Sequence, residues 1–163
     1  MTVDNRVLIA GAGPVGMISG YYLARHGVPV TVFDTEPDIQ PDHRASTVHP
    51  STLEMLDDLD VTEHLIGQGL LSPIFQYRDR YDDRVVAEFD YNIIADETPF
   101  PFALQVEQHK VVKSTWDKAK VLPDFTLLRP YEVIGTTQTD DGVSVTVTNP
   151  DGETETHTGR YLI

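Results

Sequence analysis

The sequence contains no cysteine, which excludes disulfide bonds, thiolate metal sites and cysteine nucleophiles. Basic residues are scarce: 12 lysines and arginines stand against 26 aspartates and glutamates, which gives a formal net charge of −14. This charge disfavours nucleic acid and an anionic membrane surface as partners. The sequence also has no long uninterrupted apolar run, so it predicts neither a signal peptide nor a membrane span. We therefore expect a cytoplasmic protein.

Motifs for metal binding and nucleophilic catalysis are missing as well. Six histidines are present, but none is paired at metal-ligand spacing; they are His26, His43, His49, His64, His109 and His157. There is no Gly-x-Ser-x-Gly motif, and the Asp82-Asp83 and Asp140-Asp141 pairs are typical of turns. The sequence predicts no metal site and indicates no catalytic acid or base, so the catalytic residues stay unknown at this stage.

The most informative segment lies near the N-terminus, where the apolar run Val7–Ala10 is followed by Gly11, Gly13 and Gly16 in G-x-G-x-x-G spacing. A second apolar run ends in Asp34, eighteen residues after Gly16. Strand, glycine turn, helix, strand and acid in this order are typical of a dinucleotide-binding βαβ unit. The residues predicted to contact the dinucleotide are Gly11, Ala12, Gly13, Pro14, Val15, Gly16 and Asp34.

Each glycine of this pattern, the start of the helix and the acid have a physical role in binding a dinucleotide. Gly11 makes the tight turn, Gly13 lets the backbone approach a pyrophosphate, and Gly16 lets the helix lie close to the sheet. The helix N-terminus offers free N–H groups and partial positive charge to phosphates. Asp34 is placed to accept hydrogen bonds from a ribose, and its charge disfavours a 2′-phosphate, so FAD or NAD fits better than NADP. Glu36 is an alternative acid, although a solvated loop position explains it more simply.

The remaining pattern predicts an α/β fold with a substantial antiparallel part. We expect a helix over Pro14–His26, a second helix starting in a capping box at Ser51 and breaking near Asp60, and a third over Gln108–Lys120. Alternating apolar runs predict a hairpin, Phe75–Arg78 with Val85–Phe89. Apolar strands are predicted at Val30–Phe33, Phe125–Leu128 and Arg160–Ile163, and the segments Glu132–Thr139, Val143–Thr148 and Glu153–Thr158 predict a three-stranded meander.

In an NAD-type Rossmann domain a third parallel strand follows the second helix closely, whereas here inserted strands intervene. The arrangement resembles the FAD-binding domain of the glutathione-reductase-like flavoproteins, a parallel Rossmann-like sheet with a β-meander. Within that group the chain is similar to the N-terminal part of the FAD-dependent aromatic hydroxylases of the para-hydroxybenzoate and phenol hydroxylase type. The stretches that carry the resemblance are Val7–Gly16 with Asp34, Arg44-Ala45 before the helix Ser51–Leu56, and Gln108 followed by the meander and Arg160–Ile163.

This resemblance implies specific roles and an activity. It places Arg44 beside the FAD phosphates or ribityl chain, where a guanidinium donates forked hydrogen bonds, and Gln108 at the ribityl region. It implies a monooxygenase that takes electrons from NAD(P)H, whose reduced flavin captures O₂ as a C4a-hydroperoxide and hydroxylates a phenolic or other small aromatic substrate. A homodimer of the full-length protein is one assembly that it allows.

The resemblance also implies a domain organisation. Residues 1–163 form one partial FAD-binding domain: the βαβ unit and second helix over 1–72, inserted strands on the substrate-domain side over 73–105, and the third helix, a strand and the meander over 106–163. The family's Asp-Gly segment after the last strand and its later Gly-Asp motif are missing. We therefore expect a chain truncated at the C-terminus, with weak FAD affinity and no hydroxylation on its own.

Two positions depart from the family pattern, because Val112 stands where relatives usually have glutamate and Asp60 where they frequently have glycine. Three alternative functions stay open. One is an NAD-dependent oxidoreductase domain, and another is a non-catalytic truncated FAD-binding module. The third is a flavoprotein of the same superfamily that halogenates, epoxidises or inactivates a drug.

Overall fold

The computed structural model describes residues 5–41 and 44–163. The strands in these residues are β1 (Val7–Ala10), β2 (Val30–Phe33), β3 (Thr47–Val48), β4 (Leu70–Ser72), β5 (Ile74–Arg78), β6 (Val85–Asp90), β7 (Ala103–Gln105), β8 (Phe125–Leu128), β9 (Glu132–Gln138), β10 (Val143–Thr148), β11 (Thr154–Gly159) and β12 (Tyr161–Leu162). The helices are α1 (Pro14–Arg25), α2 (Pro50–Asp57), α3 (Thr62–Ile66) and α4 (Gln108–Ala119), with a 3-10 turn at Tyr91–Ile94. These elements form two compact units. Unit 1 consists of residues 5–41 and 112–163, and unit 2 of residues 44–111.

The centre of unit 1 is a parallel sheet with the strand order β12–β1–β2–β8. Its strands are nearly continuous apolar runs, as is typical of parallel strands covered on both faces. On one face, α1 lies so close that a Cβ at Gly20 would be 2.9 Å from the Phe125 ring. On the other face, Leu8 and Phe33 pack against Val145 and Val147 of the meander. The parallel sheet is therefore the middle of three layers, between α1 and the meander.

The meander is formed by β9, β10 and β11, paired antiparallel in the order β11–β10–β9. Alternate valines of β10 explain its position, because Val145 and Val147 are fully buried while the residues between them are less buried. Such alternation is expected of a sheet with one face on a core. The predicted parallel sheet with an antiparallel meander is therefore confirmed.

Unit 2 contains two small antiparallel sheets. The hairpin β5–β6 is confirmed at the predicted place, and the sheet β3–β7–β4 pairs Thr47 with Gln105 and Leu71 with Leu104. Unit 2 also contains helices α2 and α3, in which Leu53, Leu56 and Leu65 are fully buried. His43, one of the six histidines, lies outside the described residues, and so does Asp42. Across the described ranges, no helix combines the length and apolar character that crossing a bilayer requires.

The predicted capping box at Ser51 is wrong. The N-cap of α2 is His49, no side chain caps it, and Pro50 occupies the first turn. The Thr52 and Leu53 N–H groups both donate to the His49 carbonyl. Proline is pre-organised for the first helical position and lacks the N–H that would be unpaired there. It therefore starts the helix one residue before the serine, which then lies within the first turn.

The predicted break near Asp60 is confirmed, because Asp60 has φ +58°. Left-handed backbone favours glycine, which gives a reason for the glycine of the family pattern. We expect Asp60→Ala to be about 1 kcal/mol less stable than Asp60→Gly. Both variants lack the carboxylate, so chemical denaturation of the pair isolates the backbone preference. Equal stabilities would contradict this account.

Candidate dinucleotide site

The glycine turn joins β1 to α1 in the predicted way. Gly11 has φ +110°, a region that L side chains rarely adopt, and its N–H donates to the Phe33 carbonyl at 2.8 Å. Gly13 is the N-cap of α1 and Pro14 follows in the first turn. Helical hydrogen bonding begins with the Met17 N–H, which donates to the Gly13 carbonyl at 2.9 Å. The N–H groups before it lie at the open end of the helix.

Gly16 lies where α1 crosses the turn. A Cβ built at Gly16 would be 1.9 Å from the Gly11 carbonyl oxygen, whereas a Cβ at Gly13 would meet nothing within 4 Å. Gly16 is therefore required by the fold itself, and the space at Gly13 is open to solvent. The first turn of α1 contains no acidic residue, and Val15 there is 73% exposed. This end of the helix suits an anion.

Asp34 follows β2 and faces the same turn. Its Oδ2 accepts a hydrogen bond from the Ala12 N–H at 2.6 Å, and its Oδ1 accepts one from the Glu36 N–H at 2.9 Å. The side chain is 15% exposed. Each carboxylate oxygen has a further lone pair, so Asp34 is held in place and can still accept hydrogen bonds from a ligand. Glu36 is exposed, in line with a solvated loop position.

Arg129 also belongs to this group, although sequence reasoning missed it. Its Nη2 lies 3.9 Å from Asp34 Oδ2 and donates to the Ala12 carbonyl at 3.4 Å. A signal was present, because Arg129 directly follows the predicted strand β8 and parallel strands end at one edge of a sheet. The register pairs Phe33 with Leu128, which makes Asp34 and Arg129 neighbours.

The other two predicted residues, Arg44 and Gln108, lie in unit 2. The Gln108 N–H donates to the Ala45 carbonyl at 2.9 Å, and the Val106 N–H donates to the Ser46 carbonyl at 2.8 Å. The segment that begins at Arg44 therefore runs beside the start of α4. Arg44 is exposed and Gln108 is half-buried. The predicted residues thus form two groups, one in each unit.

Charged side chains beside Gln108 are paired locally. The Lys110 ammonium lies 2.6 Å from Glu107 Oε2. This hydrogen bond, followed by one from the backbone, lowers the pKa of the Glu107 carboxyl below its usual value. Lys110, in the first turn of α4, thus favours the ionised form of Glu107, and the two form an ordinary surface pair. In the part of the chain that the structure describes, no cluster of histidine, aspartate and glutamate could hold a metal ion.

A parallel sheet, a glycine turn at a helix N-terminus and an acid after the second strand define a dinucleotide-binding α/β domain. Residues 4–163 match the model of the family described as "FAD binding domain". The chain belongs to this family, and the resemblance to FAD-dependent aromatic hydroxylases is confirmed.

Several of the similar proteins are named as monooxygenases of aromatic compounds. The chain is 26% identical over 151 residues to para-nitrophenol 4-monooxygenase of Pseudomonas sp. (strain WBC-3), covering 93% of this chain and 37% of that protein. It is 23% identical to pentachlorophenol 4-monooxygenase of Sphingobium chlorophenolicum, covering 99% and 30%.

Solved structures agree on the fold. A p-nitrophenol 4-monooxygenase from Pseudomonas putida DLL-E4 superposes with a TM-score of 0.91 at 25% identity, covering 99% of this chain and 40% of that one. A ternary complex of aklavinone-11 hydroxylase with FAD and aklavinone gives a TM-score of 0.82 at 23% identity, covering 98% and 32%. The chain therefore spans between 30% and 40% of the length of these relatives.

Proposed function

We propose that this chain supplies the FAD-binding part of a NAD(P)H-dependent monooxygenase that hydroxylates a phenolic or other aromatic substrate. The observation that carries the proposal is the open N-terminus of α1 at Gly13 next to the fixed carboxylate of Asp34, in a chain of the FAD-binding family. The aromatic substrate is supported by the similarity to para-nitrophenol 4-monooxygenase and pentachlorophenol 4-monooxygenase. A cytoplasmic location, where NAD(P)H is present, forms part of the proposal.

The residues of this chain fit the diphosphate and the ribose of the adenosine diphosphate portion of FAD. Glycines without side chains leave the backbone N–H groups at the start of α1 accessible to the diphosphate. Asp34 has the free lone pairs that two ribose hydroxyls require. We assign Gly11, Ala12, Gly13, Pro14, Val15 and Gly16 to the diphosphate end. We assign Asp34 to the ribose, and Arg44 and Gln108 to the ribityl region.

The cofactor supplies the chemistry of O₂ activation when it is bound, and the chain's residues bind and orient it. In this proposal residues 1–163 form one partial FAD-binding domain, in which the strands inserted over 73–105 belong to the substrate-domain side. None of the residues assigned here donates or removes a proton in the reaction.

Titration of the purified chain with FAD tests the proposal, with flavin fluorescence as the signal and a parallel titration with NAD. We expect saturable FAD binding that is tighter than NAD binding. NAD binding without FAD binding would favour the NAD-dependent oxidoreductase domain, and binding of neither by a folded chain would overturn the proposal.

Gly13→Ala provides the site-specific variant. Its methyl group has space in the structure but would occupy the approach of a diphosphate, so we expect FAD affinity to fall at least about tenfold. Stability should fall by about 1 kcal/mol, since alanine is a poorer N-cap than glycine. An unchanged Kd would place the cofactor elsewhere.

A further inference from the structure

Arg129 is held in a nearly buried position at the end of β8, with its side chain 12% exposed. The backbone on both sides of it is fixed to Asp34: the Asp34 N–H donates to the Leu128 carbonyl at 3.1 Å, and the Tyr131 N–H donates to the Asp34 carbonyl at 2.8 Å. The sheet therefore fixes the backbone from which the Arg129 side chain projects, and little of that side chain is exposed to solvent.

Arg129, Ala12 and Asp34 are each in polar contact with the other two. Ala12 donates its N–H to Asp34 Oδ2 and accepts from Arg129 Nη2 through its carbonyl, while Arg129 faces the same Oδ2. A single residue of the glycine turn is thus connected to both charged groups. Movement of the Asp34 carboxylate would break contacts with Arg129 and with the turn together.

One donor of the Arg129 side chain is buried without being used by the fold of the described residues. Its Nε is buried and has no hydrogen-bond partner in the described part of the chain. Arg129 lines a cavity of about 240 Å³ whose walls are mostly apolar or aromatic, with Met17, Val112 and Trp116 among them, and also include Asp38. A buried donor without a partner costs stability. The contacts that the structure does give to Arg129 lie on the side of Ala12 and Asp34.

We propose that Arg129 is a positioning residue for the adenosine half of FAD, an inference that rests on the proposed function. It holds the Asp34 carboxylate in the orientation in which each oxygen keeps a lone pair for a ribose hydroxyl. It also offsets the negative charge of Asp34 close to the turn that receives an anionic diphosphate, in a chain with a formal net charge of −14. Asp34 acts on the ligand, and Arg129 acts through Asp34.

The test compares FAD affinity of the full chain with that of Arg129→Met, Arg129→Lys, Asp34→Asn and the double variant. We expect Arg129→Met to weaken FAD binding about tenfold, because the nearly buried Asp34 carboxylate loses its cationic neighbour, and lysine to restore part of the loss. ADP, which lacks the flavin, should lose affinity by a similar factor. Arg80→Met, at an exposed position, controls for loss of a positive charge and should leave the Kd within about twofold.

The double-mutant cycle separates positioning from structural support. In the Asp34→Asn background, Arg129→Met should have little further effect on FAD binding. Equal losses in both backgrounds, or an unchanged Kd in Arg129→Met while the parent chain binds FAD, would overturn the role of Arg129 and leave the proposed function standing. A parent chain that binds neither FAD nor ADP would instead overturn the proposed function and this inference with it.

Discussion

Gly16→Ala is expected to destabilise the chain by about 3 kcal/mol or more and to abolish measurable FAD binding. The added methyl carbon would lie 1.9 Å from the Gly11 carbonyl oxygen and 3.2 Å from the Ile9 side chain. The first obstacle is backbone, which cannot rotate away as a side chain can, so α1 must move off the sheet. Because α1 also packs through Gly20 against Phe125, that movement disturbs one whole face of unit 1.

Thermal unfolding measures this effect directly. For a chain of this size 3 kcal/mol corresponds to a fall in Tm of about 10 °C. Gly13→Ala is the matched control, because the same methyl group is added three residues earlier in open space. A Tm for Gly16→Ala within about 2 °C of the parent would show that the close approach of helix and turn is not required.

Asp34→Asn is expected to reduce FAD affinity about a hundredfold. Two ribose hydrogen bonds to a charged acceptor are lost or weakened, and each is worth more than a neutral hydrogen bond. The asparagine amide has one acceptor oxygen, so its NH₂ group must face either the Ala12 N–H or the Glu36 N–H, both of which now donate to Asp34. We therefore also expect a lower Tm by a few degrees.

Glu36→Gln is the control for this prediction, since Glu36 is the alternative acid two residues away. Glu36 is exposed, and its replacement should leave the FAD Kd within about twofold. Fluorescence titration of the two variants side by side decides between the acids. A large loss in Glu36→Gln with normal binding in Asp34→Asn would reverse the assignment.

The elements predicted correctly are those whose signal is local. The glycine turn, the apolar parallel strands and the alternating valines of β10 each follow from a short stretch of chain. The sheet β3–β7–β4 has no such signal, because its strands contain two or three residues and Thr47 pairs with Gln105 far along the sequence. Its register depends on tertiary contacts that periodicity does not encode.

The candidate site shows the same limit. The glycines and Asp34 form a recognisable pattern at fixed spacing, whereas Arg129 lies far from them in sequence and becomes visible only once β8 is known to lie beside β2. The predicted start of α2 is wrong for a different reason. Pro50 and Ser51 are both local signals for a helix start, and the helix begins at Pro50. Arg44 and Gln108 depended on the family resemblance, and their contacts with FAD stay predictions.

The position of β1 in the sheet has a consequence for folding kinetics. β1 pairs with β2, but its other edge pairs with β12, so Val7 is aligned with Tyr161. This pairing closes a very long loop and raises the contact order of the chain, which slows folding. During synthesis at 5–20 residues per second, β1 must wait on the order of ten seconds for its last partner. Until then one edge of the apolar strand β1 has no partner strand and can pair with other chains. The yield of soluble protein should therefore depend on chaperone supply and expression temperature.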